Sequence, residues 1–167
     1  MQGRTIVATL VLALAVAGCE TEVPTPEERA VLEPLVRTFL VQLAAAYGAM
    51  DTRPLEGIGA PRLLERARHD IDLLKSGGDR LEPVLVEVTI DTMKVLRHAN
   101  AYVTCTEVWD TRRFDAFTGE LIGHDAHTVL HSSIQLKKIE GRWLVLYREV
   151  EETRTGPRLS LPTPPPR

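Results

Sequence analysis

Residues 101–110 read Ala-Tyr-Val-Thr-Cys-Thr-Glu-Val-Trp-Asp. Ala101, Val103, Cys105 and Trp109 recur every second position, the period of a strand with one apolar face. The pattern predicts a strand over 101–113. Working back, Val84, Val86, Val88 and Ile90 alternate with Leu85, Glu87, Thr89 and Asp91. This predicts a strand after Pro83, continued by 93–96 beyond an irregularity, with Arg97-His98-Ala99-Asn100 as the turn. Working forward, Thr118-Gly119 marks a hairpin tip and 124–139 a third long strand. Glu140-Gly141 is a tight turn and 142–151 a fourth strand.

Upstream the period is helical. Thr25-Pro26-Glu27-Glu28 supplies a capping residue, a proline suited to the first helical position and the glutamate of a capping box. Val31, Leu32, Leu35, Val36, Phe39, Leu40, Leu43 and Tyr47 then follow at helical spacing. Pro34 is expected to kink this helix or mark a second start. After a break over 51–59, Ala60-Pro61 opens a second helix. Its stripe is Leu63, Leu64, Ala67, Ile71 and Leu74, and it stops at Gly77-Gly78. Arg62, Arg66, Arg68 and Asp72 fall mostly on the other side and read as a solvated face.

Helices followed by hairpin-linked strands make an α+β order. The expected architecture is a curved antiparallel sheet of about four long strands with the helices across its inner face. Two N-terminal helices, the 101–110 strand and Gly141-Arg142-Trp143-Leu144-Val145 resemble the NTF2-like (SnoaL-like, cystatin-type cone) superfamily over roughly 27–151. The resemblance implies the cone fold and an outer sheet face used for contacts, often dimerisation. It does not select a function, because the cone hosts enzymes and binding or assembly domains alike.

The first residues carry an address. One positive charge at Arg4 precedes an uncharged run from Thr5 to Ala17, and the segment closes on Val16-Ala17-Gly18-Cys19. A short basic region, an apolar stretch and small residues before a cut site describe a secretory signal. The run is well short of the ~20 residues that span a bilayer. The last four residues resemble the bacterial lipobox. That resemblance implies cleavage before Cys19 and lipid on its sulfur, including acyl chains of the palmitate kind. The competing reading is an ordinary cleaved signal. The expected organisation is a signal peptide over 1–18, a membrane tether over 19–26, the folded domain over 27–153 and a proline-rich disordered tail over 154–167. The expected location is the bacterial cell or outer membrane, on its periplasmic or surface side.

The formal net charge is −3 over 167 residues and no basic cluster stands out along the chain, which argues against nucleic acid. With Cys19 acylated, Cys105 has no partner for a disulfide.

His124, His127 and His131 invite a metal reading. On a regular strand His127 and His131 share a face but stand about 13 Å apart, and His124 faces the other way, so no metal site is expected. Glu107 shares a face with Cys105 and Trp109. A carboxylate there is either a site residue or is paired with an arginine, and Arg148 and Arg112 are the candidates. Asp110 lies on the opposite face. Tyr147 is a candidate inward hydroxyl, so Glu107, Trp109 and Tyr147 form the candidate pocket. Cys105 has no histidine near it in sequence. Gly57-Ile58-Gly59 and Gly77-Gly78 lack the lysine of a phosphate loop, and no cofactor is expected. The reading that follows is an envelope lipoprotein with a non-catalytic binding or assembly domain. Its expected partners are the lipid bilayer through Cys19, and an envelope protein, a homodimer mate or a small apolar ligand. The alternative is an isomerase or dehydratase with Glu107 as base and Tyr147 as donor.

Overall fold

The computed structural model describes residues 22–154; Cys19 and the tail beyond residue 154 lie outside them. The elements run α1 (Pro26–Ala49), a 3-10 turn (Arg53–Leu55), α2 (Pro61–Gly77), β1 (Asp79–Leu96), β2 (Asn100–Asp115), β3 (Leu121–Ile139) and β4 (Arg142–Arg154). The strands form one antiparallel meander in the order β1-β2-β3-β4.

The capping box forms as its residues predict. The Glu28 N–H donates to Thr25 Oγ1 at 3.1 Å, and the Thr25 N–H donates to the Glu28 carboxylate at 2.9 Å. Two of the helix's orphan donors are thereby satisfied. Pro34 does not start a second helix: α1 runs through it unbroken. Pro34 and Ala30 are both exposed, so water can solvate the carbonyl that the proline leaves without a donor.

Leu32, Val36, Phe39, Leu40 and Ala46 of α1 are buried against Met93, Val95, Val103, Cys105, Ile134, Leu136 and Val145 of the sheet. α1 is long and apolar enough by composition to cross a bilayer, yet its apolar stripe is spent on this core. α2 buries Leu63, Ala67 and Ile71. Its approach is fixed by the preceding loop, where the Val145 N–H donates to the Ile58 carbonyl and the Ala60 N–H to the Val145 carbonyl.

Two expectations about β1 are corrected. The strand begins at Asp79 and carries Pro83 inside it. A proline is tolerated there because β1 is an edge strand. Its apolar face is also not a single alternation. The register skips Val86 and Asp91, so Leu85 opposes Trp109, Val88 opposes Glu107 and Met93 opposes Val103. Each bulge shifts the alternation by one residue. Leu85, Val88, Ile90 and Met93 thus join the core, whereas Val84 and Val86 are 49% and 52% exposed.

Candidate functional site

Glu107 is fully buried in the middle of β2. Arg148 of β4 grips it from two strands away, its Nε donating to Oε1 at 3.0 Å and its Nη2 to Oε2 at 2.5 Å. The Trp109 indole N–H donates to Oε2 at 2.6 Å, and the Ser132 hydroxyl donates to Oε1. These four donors, with a longer contact from the Cys105 thiol, fill the roughly four acceptor sites of a carboxylate. Burial by itself would raise the carboxyl's pKa; Arg148's hydrogen bonds and charge, with those from Ser132 and Trp109, outweigh it and hold the pKa below 4.5. Glu107 is an ionised, occupied group, the reverse of a poised base. Of its two candidate partners, Arg148 is the one bonded; Arg112 is exposed and stands opposite His124.

Beside this pair lies a cavity of about 500 Å³ between the end of α1, the end of α2 and the inner sheet face. Leu43, Ala44, Leu74, Leu81, Trp109 and Leu130 supply apolar walls, and Arg148 reaches its rim. The volume is that of a small-molecule site. Thr128 also lines it, and its hydroxyl is buried without a hydrogen-bond partner among the described residues. An unsatisfied buried hydroxyl costs about 1–3 kcal/mol. The lining also includes the Asp79–Arg113 ion pair.

The three candidate pocket residues are only partly brought together. Glu107 and Trp109 touch, and Trp109 faces the cavity. Tyr147 lies instead in a second groove of about 430 Å³ against α2, with the Arg66 guanidinium 5.0 Å from its ring centroid. Leu43, Tyr47 and Arg148 line both spaces. The Tyr47 hydroxyl donates to Asp70 at 3.1 Å; burial first, then the Asp70 charge, pushes that phenol up to about 12. Cys105 sits beneath the acid, 3.3 Å from Ser132 Oγ and 3.5 Å from Glu107. Burial, reinforced by the Glu107 charge, pushes its thiol up to about 12, so it is inert.

The histidine reading needs correction. The register passes from Trp109↔Thr128 to Thr111↔Asp125, and His127 has φ 52°. This bulge turns His124 to the outer face, the same side as His131. His124 Nε2 lies 2.6 Å from Asp110 Oδ1, and His131 Nδ1 lies 3.1 Å from Thr106 Oγ1. Among the described residues no three His, Cys, Asp or Glu side chains gather as a metal site.

Ser132 and Thr128 are contributors that sequence reading missed. Small hydroxyl residues suit either face of a strand, so period gives no signal for them. Their inward positions are visible only by pairing β3 with β2, where Ser132 opposes Cys105 and Thr128 opposes Trp109.

No protein-family model and no curated protein matches the sequence. Solved structures do. The intermembrane space region of the chloroplast protein ARC6 superposes with a TM-score of 0.64 at 15% identity, over 76% of this chain and 98% of that one. A Nostoc punctiforme protein of unknown function, described as having a cystatin-like fold, gives 0.44 at 14% identity over 84% and 98%. A Mycobacterium tuberculosis protein, also of unknown function, gives 0.47 at 14% identity over 81% and 79%. At 15% identity the likeness to the ARC6 region is one of fold: helices laid on one face of an antiparallel meander.

Proposed function

We propose that this chain is a bacterial envelope lipoprotein, anchored through acylated Cys19, whose NTF2-like domain is a non-catalytic binding module. Its ligand is small and largely apolar. The observation that carries the reading is the cavity itself: apolar walls beside an acid already saturated by Arg148. Apolar walls with few polar groups are what ligand-binding cavities use for orientation and specificity. The isomerase or dehydratase alternative asks for a carboxylate with a free lone pair facing a donor tyrosine. Glu107 is occupied, and Tyr147 opens on a different groove.

The test is native mass spectrometry of the full chain released from membranes in mild detergent, beside Ala44→Phe, which fills the cavity. A small molecule retained by the parent and lost from the variant is expected. Identical ligand-free masses, together with equal binding of the apolar probe anilinonaphthalene sulfonate, would overturn the cavity reading. Co-purification of an envelope protein without a small molecule would favour an assembly role. Palmitate labelling that survives Cys19→Ala would overturn the anchor.

A further inference from the structure

The folded domain begins almost at the anchor. Glu22 is bonded to the end of β1: its N–H donates to the Val95 carbonyl at 2.8 Å, and the Val95 N–H donates back at 2.9 Å. His98, in the turn that follows β1, adds a clasp, its Nδ1 2.8 Å from Glu28 and its Nε2 3.7 Å from Glu22. Cys19 precedes Glu22 by three positions, a reach of about 10 Å when fully extended. If Cys19 is acylated, this end of the sheet stands against the headgroups.

That end is basic. The β1–β2 and β3–β4 turns lie side by side, joined where the Lys138 N–H donates to the Ala99 carbonyl at 2.8 Å. Lys94, Arg97, Lys137, Lys138 and Arg142 are all exposed there, and Glu140 is the one acid within the two turns. Of the nearby glutamates of the tether and first helical turn, Glu22 and Glu28 are engaged by His98, and Glu27 is exposed. The far end of the sheet has the opposite balance. Asp79, Glu82, Asp110, Asp115, Glu120 and Asp125 outnumber the arginines among them.

We propose that the two turns at the tethered end form a docking surface for an anionic lipid leaflet, which stands the domain upright with its acidic end away from the membrane. The proposal rests on the lipid-anchor reading, and charge complementarity selects the occupant. The tether's full reach is comparable to the Debye length of about 8 Å at physiological salt. Within that distance each Lys or Arg strengthens attraction to an anionic surface about fivefold. An unoriented domain on a long linker would gain little from the same charges.

The chain's four lysines make the test internal. Lys94, Lys137 and Lys138 sit at the proposed contact, whereas Lys75 is near the end of α2, beside the far end of the sheet. The full lipidated chain is reconstituted into vesicles of phosphatidylcholine alone, or with ~30% phosphatidylglycerol, and modified with a water-soluble amine reagent. Expected is at least threefold slower modification of the three lysines on the anionic vesicles, reversed at ~0.5 M salt, with Lys75 unchanged. The combined substitution Arg97→Glu and Arg142→Glu should abolish the protection while circular dichroism stays unchanged. Equal lysine reactivity on both vesicles, with the protein still vesicle-bound, would overturn the docking surface. Protection in native membranes but not on anionic vesicles would overturn it too, and would point to a protein occupant. A chain that does not stay with either vesicle indicts the anchor instead.

Discussion

Arg148 on β4 reaches across β3 to hold both carboxylate oxygens of Glu107 on β2, at 3.0 and 2.5 Å. The Arg148 side chain is 16% exposed and that of Glu107 wholly buried, so loss of either partner leaves a largely buried charge unpaired. Removing one member of such a pair costs about 3–5 kcal/mol, whereas replacing both with apolar residues can be neutral. Glu107→Gln and Arg148→Met should each cost that much in urea unfolding. Glu107→Leu combined with Arg148→Met should be less destabilised than the sum of its single changes. Additive losses would mean that the two groups act independently.

The same acid makes stability depend on pH. Its folded-state pKa is depressed below 4.5, so its contribution is full above that value and is lost as pH falls through the lower folded-state pKa. Unfolding of the parent chain should steepen below about pH 4.5, and Glu107→Gln should flatten that limb. An unchanged acid limb in the variant would assign the dependence to other carboxylates.

Cys105, with its thiol pushed up to about 12 and its side chain buried, should resist maleimide at pH 8 in the folded chain. Labelling should occur only through unfolding, with a rate that follows urea concentration. Rapid labelling of the native protein would contradict the packing around Glu107.

His98 should titrate above 6.5, because Glu28's hydrogen bond and charge, and then Glu22's charge, favour the imidazolium. A raised pKa means that its contribution is present below 6.5 and is lost as pH rises through the folded-state value. Glu28→Gln preserves the capping box and should return the His98 NMR titration toward 6.5. A midpoint that does not move would show that the clasp is not formed in solution.

Gly59 is confined. A Cβ there would lie 2.8 Å from Leu63 Cδ2 and 3.4 Å from the Leu55 carbonyl, at the loop that sets α2 beside β4. Gly59→Ala should cost about 1–3 kcal/mol through overpacking. Gly48→Ala, in α1 with open space around its Cβ, should instead stabilise by about 0.5–1 kcal/mol. Equal effects at the two positions would contradict the close approach at Gly59.

By itself the sequence determined the elements, because those signals are local. The Thr25–Glu28 capping box, the stripes of α1 and α2, and the alternation from Ala101 to Trp109 each follow from neighbours a few residues apart, and the structure bears them out. The four residues ending at Cys19 likewise belong to sequence alone. Tertiary structure decided what faces what. Bulges at Val86 and Asp91 in β1, and near His127 in β3, reverse the alternation that period-two reading carries forward. They moved Val84 and Val86 outward and put His124 on the same side as His131. The choice of Arg148 over Arg112, the cavity around Thr128 and the basic end collected from two separate turns all depend on strand pairing. That is long-range information: a one-residue bulge leaves composition and periodicity nearly unchanged, yet turns every later side chain to the other face.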